Sequence, residues 1–135
     1  FYTMLAIWIG CIIINAIMKI DNPVELEIGC GKGGFICETA KRNPDTNYIA
    51  VEKAGNVIVS GCEAALKEGI KNVVFFKSGA EYLPKYFPEN SIENIYLNFS
   101  CPYPKKRYEN HRLTNGKFLN LYNCCANYVN VLYPD

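Results

Sequence analysis

The sequence predicts an α/β fold, a parallel sheet with flanking crossover helices, on three observations. From Pro23 onward, short apolar runs alternate with stretches of helical periodicity. A glycine-rich run closes the first apolar run, and a carboxylate, Glu52, ends the second, 19 residues past Gly33.

The elements follow in order. Asp21-Asn22-Pro23 is a turn signal, and Val24 to Ile28 reads as the first strand. A helix from about Gly34 to Arg42 must stop at Asn43-Pro44, because the residue before proline avoids the helical region. Tyr48 to Val51 form the second strand. A helix from about Asn56 to Lys67 aligns Ile58, Cys62, Ala65 and Leu66 on one face, and Gly69 is placed to end it. Val73 to Phe76 are the third strand. A short helix near Glu81 to Tyr86 stops at Pro88, and Ile92 to Phe99 supply the fourth strand. The spacing of Phe118, Tyr122, Cys125, Val129 and Leu132 predicts a last helix from about Lys117 to Leu132, whose Tyr and Cys residues serve the core.

A chain of 135 residues predicts one domain, and 50% hydrophobic content excludes a disordered tail. With 14 Lys plus Arg against 13 Asp plus Glu, the net charge of +1 excludes a polybasic nucleic-acid coat but leaves room for a local basic patch. Seven cysteines with no C-x-x-C pair suit a reduced, cytoplasmic protein and imply no structural metal.

Residues 1–18 stand apart: only Thr3, Gly10 and Asn15 are not apolar, and the first charge is Lys19. Three readings stay open for this leader, taken as residues 1–20. They are membrane contact at the short limit of a span, a helix or strand buried in the protein or under a partner, and an incomplete or mis-joined reading frame. The absence of an initiator Met favours the last.

The run Glu27-Ile28-Gly29-Cys30-Gly31-Lys32-Gly33-Gly34 falls where a strand ends and a helix begins. Gly29, Gly31 and Gly33 would let the backbone turn sharply and approach a ligand, and Glu52 stands where a carboxylate accepts hydrogen bonds from ribose hydroxyls. Gly29, Gly31 and Gly33 give G-x-G-x-G, and Gly29, Gly31 and Gly34 also fit the G-x-G-x-x-G of a dinucleotide site, but here an acid stands two residues ahead. That acid would repel a pyrophosphate but suits a cationic ligand such as S-adenosylmethionine. The competing reading is an ordinary glycine turn with Glu52 solvated. After the fourth strand, Asn98 to Arg107 should face the same crevice. Tyr103 offers a ring for stacking, and Lys105, Lys106, Arg107, Arg112 and Lys117 against Glu109 leave a local excess of positive charge that suits RNA phosphates. The competing reading is a solvated basic loop, with His111 a phosphate or solvent contact.

The succession Leu26 to Gly33, then Tyr48-Ile49-Ala50-Val51-Glu52, then Tyr96-Leu97-Asn98-Phe99-Ser100-Cys101-Pro102-Tyr103-Pro104-Lys105-Lys106-Arg107 and His111-Arg112-Leu113-Thr114, resembles the bacterial tRNA (guanine-N7)-methyltransferase family. The resemblance runs from about Asn22 to Leu132. It implies a Rossmann-like, S-adenosylmethionine-dependent methyltransferase fold over residues 21–135, lacking its last strands, that methylates N7 of guanine 46 in the tRNA variable loop. By that likeness Glu27, Gly29, Gly31, Gly33, Glu52, Gly79, Ala80 and Asn98 would hold the cofactor. Cys101 would touch the cofactor and be catalytic, and Tyr103, Lys105, Arg107 and Arg112 would hold tRNA.

Two departures stand out. The family loop reads N-F-S-D-P-W-P-K-K-R, so Cys101 replaces an aspartate and Tyr103 a tryptophan. The chain also stops at Asp135, ahead of the family's K-T-D-N-like segment. Two other functions remain in play. One is a non-catalytic cofactor- or RNA-binding fragment, and the other is an amino-methyltransferase using Ser100-Cys101-Pro102-Tyr103 as a distant S/N/D-P-P-Y loop. The acid ahead of the glycines disfavours a dehydrogenase.

Overall fold

The computed structural model describes residues 21–98 and 105–132. The apolar leader and the segment 99–104, with Cys101 and Tyr103, lie outside the described residues. The elements are β1 (Val24–Ile28), α1 (Gly34–Arg42), β2 (Asn47–Glu52), α2 (Gly55–Lys67), β3 (Val73–Lys77), a 3-10 turn (Ala80–Tyr82) running into α3 (Leu83–Tyr86), β4 (Ile92–Asn98), a 3-10 helix (Lys106–His111), α4 (Gly116–Asn123) and β5 (Ala126–Leu132). Among the described residues, no helix is long and apolar enough to cross a membrane.

The five strands form one parallel sheet in the order β3-β2-β1-β4-β5. The chain moves outward from β1 to β3 and then returns to the other side of β1. The seam between β1 and β4 is therefore a topological switch point, with a crevice at the carboxyl ends of those strands.

Alternation along the strands sorts side chains onto two faces. Leu26, Ile28, Ile49, Val51, Ile95 and Leu97 point to one face, where Leu83, Tyr122 and Cys125 pack against them. Tyr48 and Ala50 point to the other, under Ile36, Cys37 and Ala40 of α1 and Ala65 of α2. Each fully buried Leu or Ile contributes about 1.5–3 kcal/mol, so this two-sided core sets where the crevice can form. Asn72 ties the lower rim together: its side-chain amide is shared among the carbonyls of Ala40, Asn43 and Thr46 at 2.9–3.0 Å.

The predicted helix from Lys117 to Leu132 is corrected. Only Gly116–Asn123 is helical, capped by the Asn115 side chain, which accepts from the Lys117 N–H at 2.9 Å. The chain then enters β5, whose Asn94↔Tyr128 and Leu97↔Val131 register extends the sheet beyond β4. Val129 and Val131 alternate as strand residues do, and both pack on the core. Phe118 and Tyr122 keep their helical spacing, and Tyr122 and Cys125 are buried as expected. A second correction concerns α2: its buried residues are Ile58, Gly61 and Ala65, Cys62 is half-buried, and Leu66 is 81% exposed.

Candidate cofactor site

The glycine loop is pinned to β2. The N–H groups of Gly29 and Cys30 both donate to the Val51 carbonyl, at 2.8 and 3.1 Å. The Gly31 N–H donates to Glu52 Oε2 at 3.0 Å, and the Gly33 N–H to the Cys30 carbonyl at 2.9 Å. These four amides are spent inside the protein, so they do not form the anion cradle that a pyrophosphate needs. Gly33 is required on two counts. Its φ of 78° is left-handed, and a Cβ there would stand 3.0 Å from the Phe75 ring.

Glu52 is held by its surroundings. Besides Gly31, the backbone N–H groups of Lys53 and Ala54 donate to Oε1, at 2.8 and 3.0 Å. Three fixed donors orient the carboxylate at the mouth of the crevice, where it remains half-buried.

Glu27 is the reverse case. It is 2% exposed, on the strand position before Ile28, and Asn98 of β4 donates its side-chain amide to Oε1 at 3.0 Å. Glu27 Oε2 and Asn98 Oδ1 are buried and have no hydrogen-bond partner among the described residues. Burial pushes the Glu27 carboxyl from 4.5 up to about 7; the Asn98 amide and the Ile36 backbone N–H pull it part of the way back, and the charge of Glu52 adds to the rise. Two orphaned acceptors on one hydrogen-bonded pair of side chains fit a ligand that brings several N–H donors and a positive charge, as a primary ammonium does. The neighbouring Cys30 thiol, pushed up to about 12 by burial and by Glu27, stays neutral.

A cavity of about 370 Å³ opens at the carboxyl ends of β1 and β2 and past the end of β3. Of the residues expected from sequence, Gly29, Glu52, Gly79 and Ala80 line it. Glu81, His111 and Phe118 line it too, and sequence reasoning did not place them there. Glu81 carries no motif, and Phe118 reads as core. Gly31 and Gly33 shape the loop without lining the cavity, and Glu27 and Asn98 lie at the buried end of the seam. Lys105 and Arg107 are exposed, and Arg112 is half-buried. Cys101 and Tyr103 lie outside the described residues. Among the described residues, no group of His, Cys, Asp and Glu could hold a metal ion.

A parallel α/β sheet with a glycine turn at its switch point, a buried acid on the first strand and an oriented acid ending the second defines a nucleotide-type cofactor domain. The chain belongs to a methyltransferase family: residues 21–127 match the family described as "Putative methyltransferase". It is 45% identical over 108 residues to a tRNA (guanine-N(7)-)-methyltransferase of Geobacillus sp. (strain WCH70), covering 80% of this chain and 49% of that protein. A Listeria monocytogenes serotype 4b (strain F2365) protein of the same name is 46% identical over 102 residues, covering 76% of this chain and 48% of its own length. The chain spans about half the length of the curated relatives it matches.

Two solved structures share the fold. A SAM dependent methyltransferase from Aquifex aeolicus superposes with a TM-score of 0.60 at 22% identity, covering 77% of this chain and 50% of that one. An antibiotic related methyltransferase gives 0.62 at 22% identity, covering 90% and 62%.

Proposed function

We propose that this chain forms the cofactor-binding part of a tRNA (guanine-N7)-methyltransferase, acting in the cytoplasm on guanine 46 of the tRNA variable loop with S-adenosylmethionine as methyl donor. The observation that carries the reading is the pair of orphaned acceptors, Glu27 Oε2 and Asn98 Oδ1, buried at the switch point of a methyltransferase-family domain. The 45–46% identity to proteins named for that activity supports the choice of substrate.

S-adenosylmethionine supplies a methyl group already activated on a sulfonium. The chain's own residues bind and aim. Glu27 and Asn98 accept from the ammonium of the amino-acid end, Gly29 lets the backbone lie close to the ligand, and Glu52, held by its three amides, accepts from the ribose hydroxyls. Gly79 and Ala80 line the region beyond the ribose. Guanine N7 carries a lone pair and no proton, so the transfer needs alignment and stabilisation of the methylated purine cation more than it needs a general base. Cys101 takes the position of the family aspartate; a neutral thiol stabilises that cation poorly, and Cys101→Asp is expected to raise the rate. Tyr103, Lys105, Arg107 and Arg112 are assigned to tRNA.

The test is incubation of the chain with unmodified tRNA and S-adenosylmethionine carrying a labelled methyl group, followed by nucleoside mass spectrometry. 7-methylguanosine at position 46 is the expected product. Methyladenine would overturn the reading in favour of an amino-methyltransferase, and binding of S-adenosylhomocysteine without any transfer would make the chain a binding module.

A further inference from the structure

The 3-10 helix Lys106–His111 reaches the cofactor cavity at one end and the basic surface at the other. Asn110 and His111 line the cavity together with Gly29, Glu52 and Gly79, and all six residues from Lys106 to His111 are exposed. In a 3-10 helix residues three apart are eclipsed, which stacks Tyr108 on the same column as His111. The two rings lie 5.9 Å apart at 60°, and the Arg107 guanidinium sits 4.7 Å from the centre of the Tyr108 ring. A continuous chain of contacts therefore runs from a surface cation, through a phenol ring, to an imidazole in the cavity wall.

The position of this wall along the ligand follows from the proposed cofactor reading, on which the inference rests. An ammonium at Glu27 and Asn98 and a ribose at Glu52 direct the remaining part of the ligand past Ser78, Gly79 and Ala80. Asn110, His111, Leu113 and Phe118 complete the lining of the cavity. A planar base in that cavity has the apolar side chains of Leu113 and Phe118 and the His111 imidazole among its neighbours, residue types suited to stacking.

We infer that His111 packs against the adenine end of the cofactor and, through Tyr108 and Arg107, couples cofactor binding to RNA binding. A bound ligand fixes His111, and with it the ring and guanidinium that present positive charge to a phosphate. The second ligand then meets an ordered surface and binds more tightly, whichever ligand arrives first.

The test is titration of S-adenosylhomocysteine by calorimetry, alone and at saturating unmodified tRNA, with the reciprocal tRNA titration. His111→Ala should weaken S-adenosylhomocysteine by about fivefold or more, and His111→Phe, which keeps a stacking ring, should restore it. In the wild-type chain tRNA should tighten S-adenosylhomocysteine by about fivefold or more, with the same factor in the reverse direction, and His111→Ala should abolish that factor. Wild-type affinity retained in His111→Ala, or an affinity indifferent to tRNA, overturns the inference while leaving the cofactor site standing. A wild-type chain that binds no S-adenosylhomocysteine overturns the proposed function and this inference together.

Discussion

Replacing Glu27 by glutamine separates its two roles, as a buried acid in the free protein and as a counter-charge for the ligand. In the free protein burial raises its carboxyl from 4.5 to about 7, so the folded state holds the proton more tightly than the unfolded state does. The sign follows from linkage. The contribution of the protonated carboxyl to stability is fully present below pH 4.5, and it is lost as the pH rises through about 7. At about 1.4 kcal/mol per pH unit, that interval amounts to about 3 kcal/mol. Urea unfolding between pH 4.5 and pH 8 should show this decline in the wild-type chain, with Glu27→Gln flatter by about that amount.

The ligand reverses the preference, because an ammonium favours the carboxylate. At pH 6 the free carboxyl is roughly nine-tenths protonated, so binding of S-adenosylhomocysteine should release close to one proton, read from calorimetry in buffers of different ionisation enthalpy. Glu27→Gln should abolish the release and, by losing a charged hydrogen bond of about 1.5–3 kcal/mol, weaken binding by about 10–150-fold. Wild-type S-adenosylhomocysteine affinity in Glu27→Gln, with no dependence on buffer in either protein, would refute the reasoning.

Asn98→Ala removes the amide that holds the Glu27 carboxyl down, so the decline in stability should move to higher pH in the same unfolding series. Glu52→Gln turns one acceptor oxygen into a donor against the N–H groups of Gly31, Lys53 or Ala54; it should cost about 1–3 kcal/mol in urea unfolding and weaken S-adenosylhomocysteine in the same samples. Gly33→Ala forces a Cβ into the left-handed region against Phe75, and unfolding should show a loss of about 1–2 kcal/mol or more. Asn72→Ala, at the opposite end of the sheet from the crevice, should destabilise by about 1–3 kcal/mol and leave S-adenosylhomocysteine affinity unchanged by calorimetry.

The first four strands were legible because strands of a parallel sheet are covered on both faces and read as short apolar runs between turn residues. β5 was not. Phe118, Tyr122 and Cys125 recur at helical spacing, and Val129 continues that spacing by coincidence, so periodicity carried one helix through two elements. The free edge of β4 decided the matter: pairing from Ile92↔Ala126 to Asn98↔Leu132 satisfies a row of backbone groups that a longer helix would have left unpaired. Leu66 was misplaced for a similar reason. Spacing put it near Ala65 and Cys62, but small Gly61 lets α2 approach Phe75 along a slightly rotated face, which turns Leu66 to solvent.

What the sequence determined by itself is local chemistry at fixed spacing: a glycine turn closing a strand, an acid ahead of it, and a second acid ending the next strand. Those features depend on neighbours in the chain, and residue types record them. What only the tertiary structure decided is the state of those groups. Glu27 meets Asn98 across 71 residues of chain, and their shared burial leaves two acceptors without a partner among the described residues and raises the acid. His111, read from sequence as a phosphate or solvent contact, is exposed and also lines the cavity beside Gly29 and Glu52, residues about 60 to 80 positions earlier in the chain. Desolvation and long-range contact are properties of the packed chain, and no stretch of residues carries them alone.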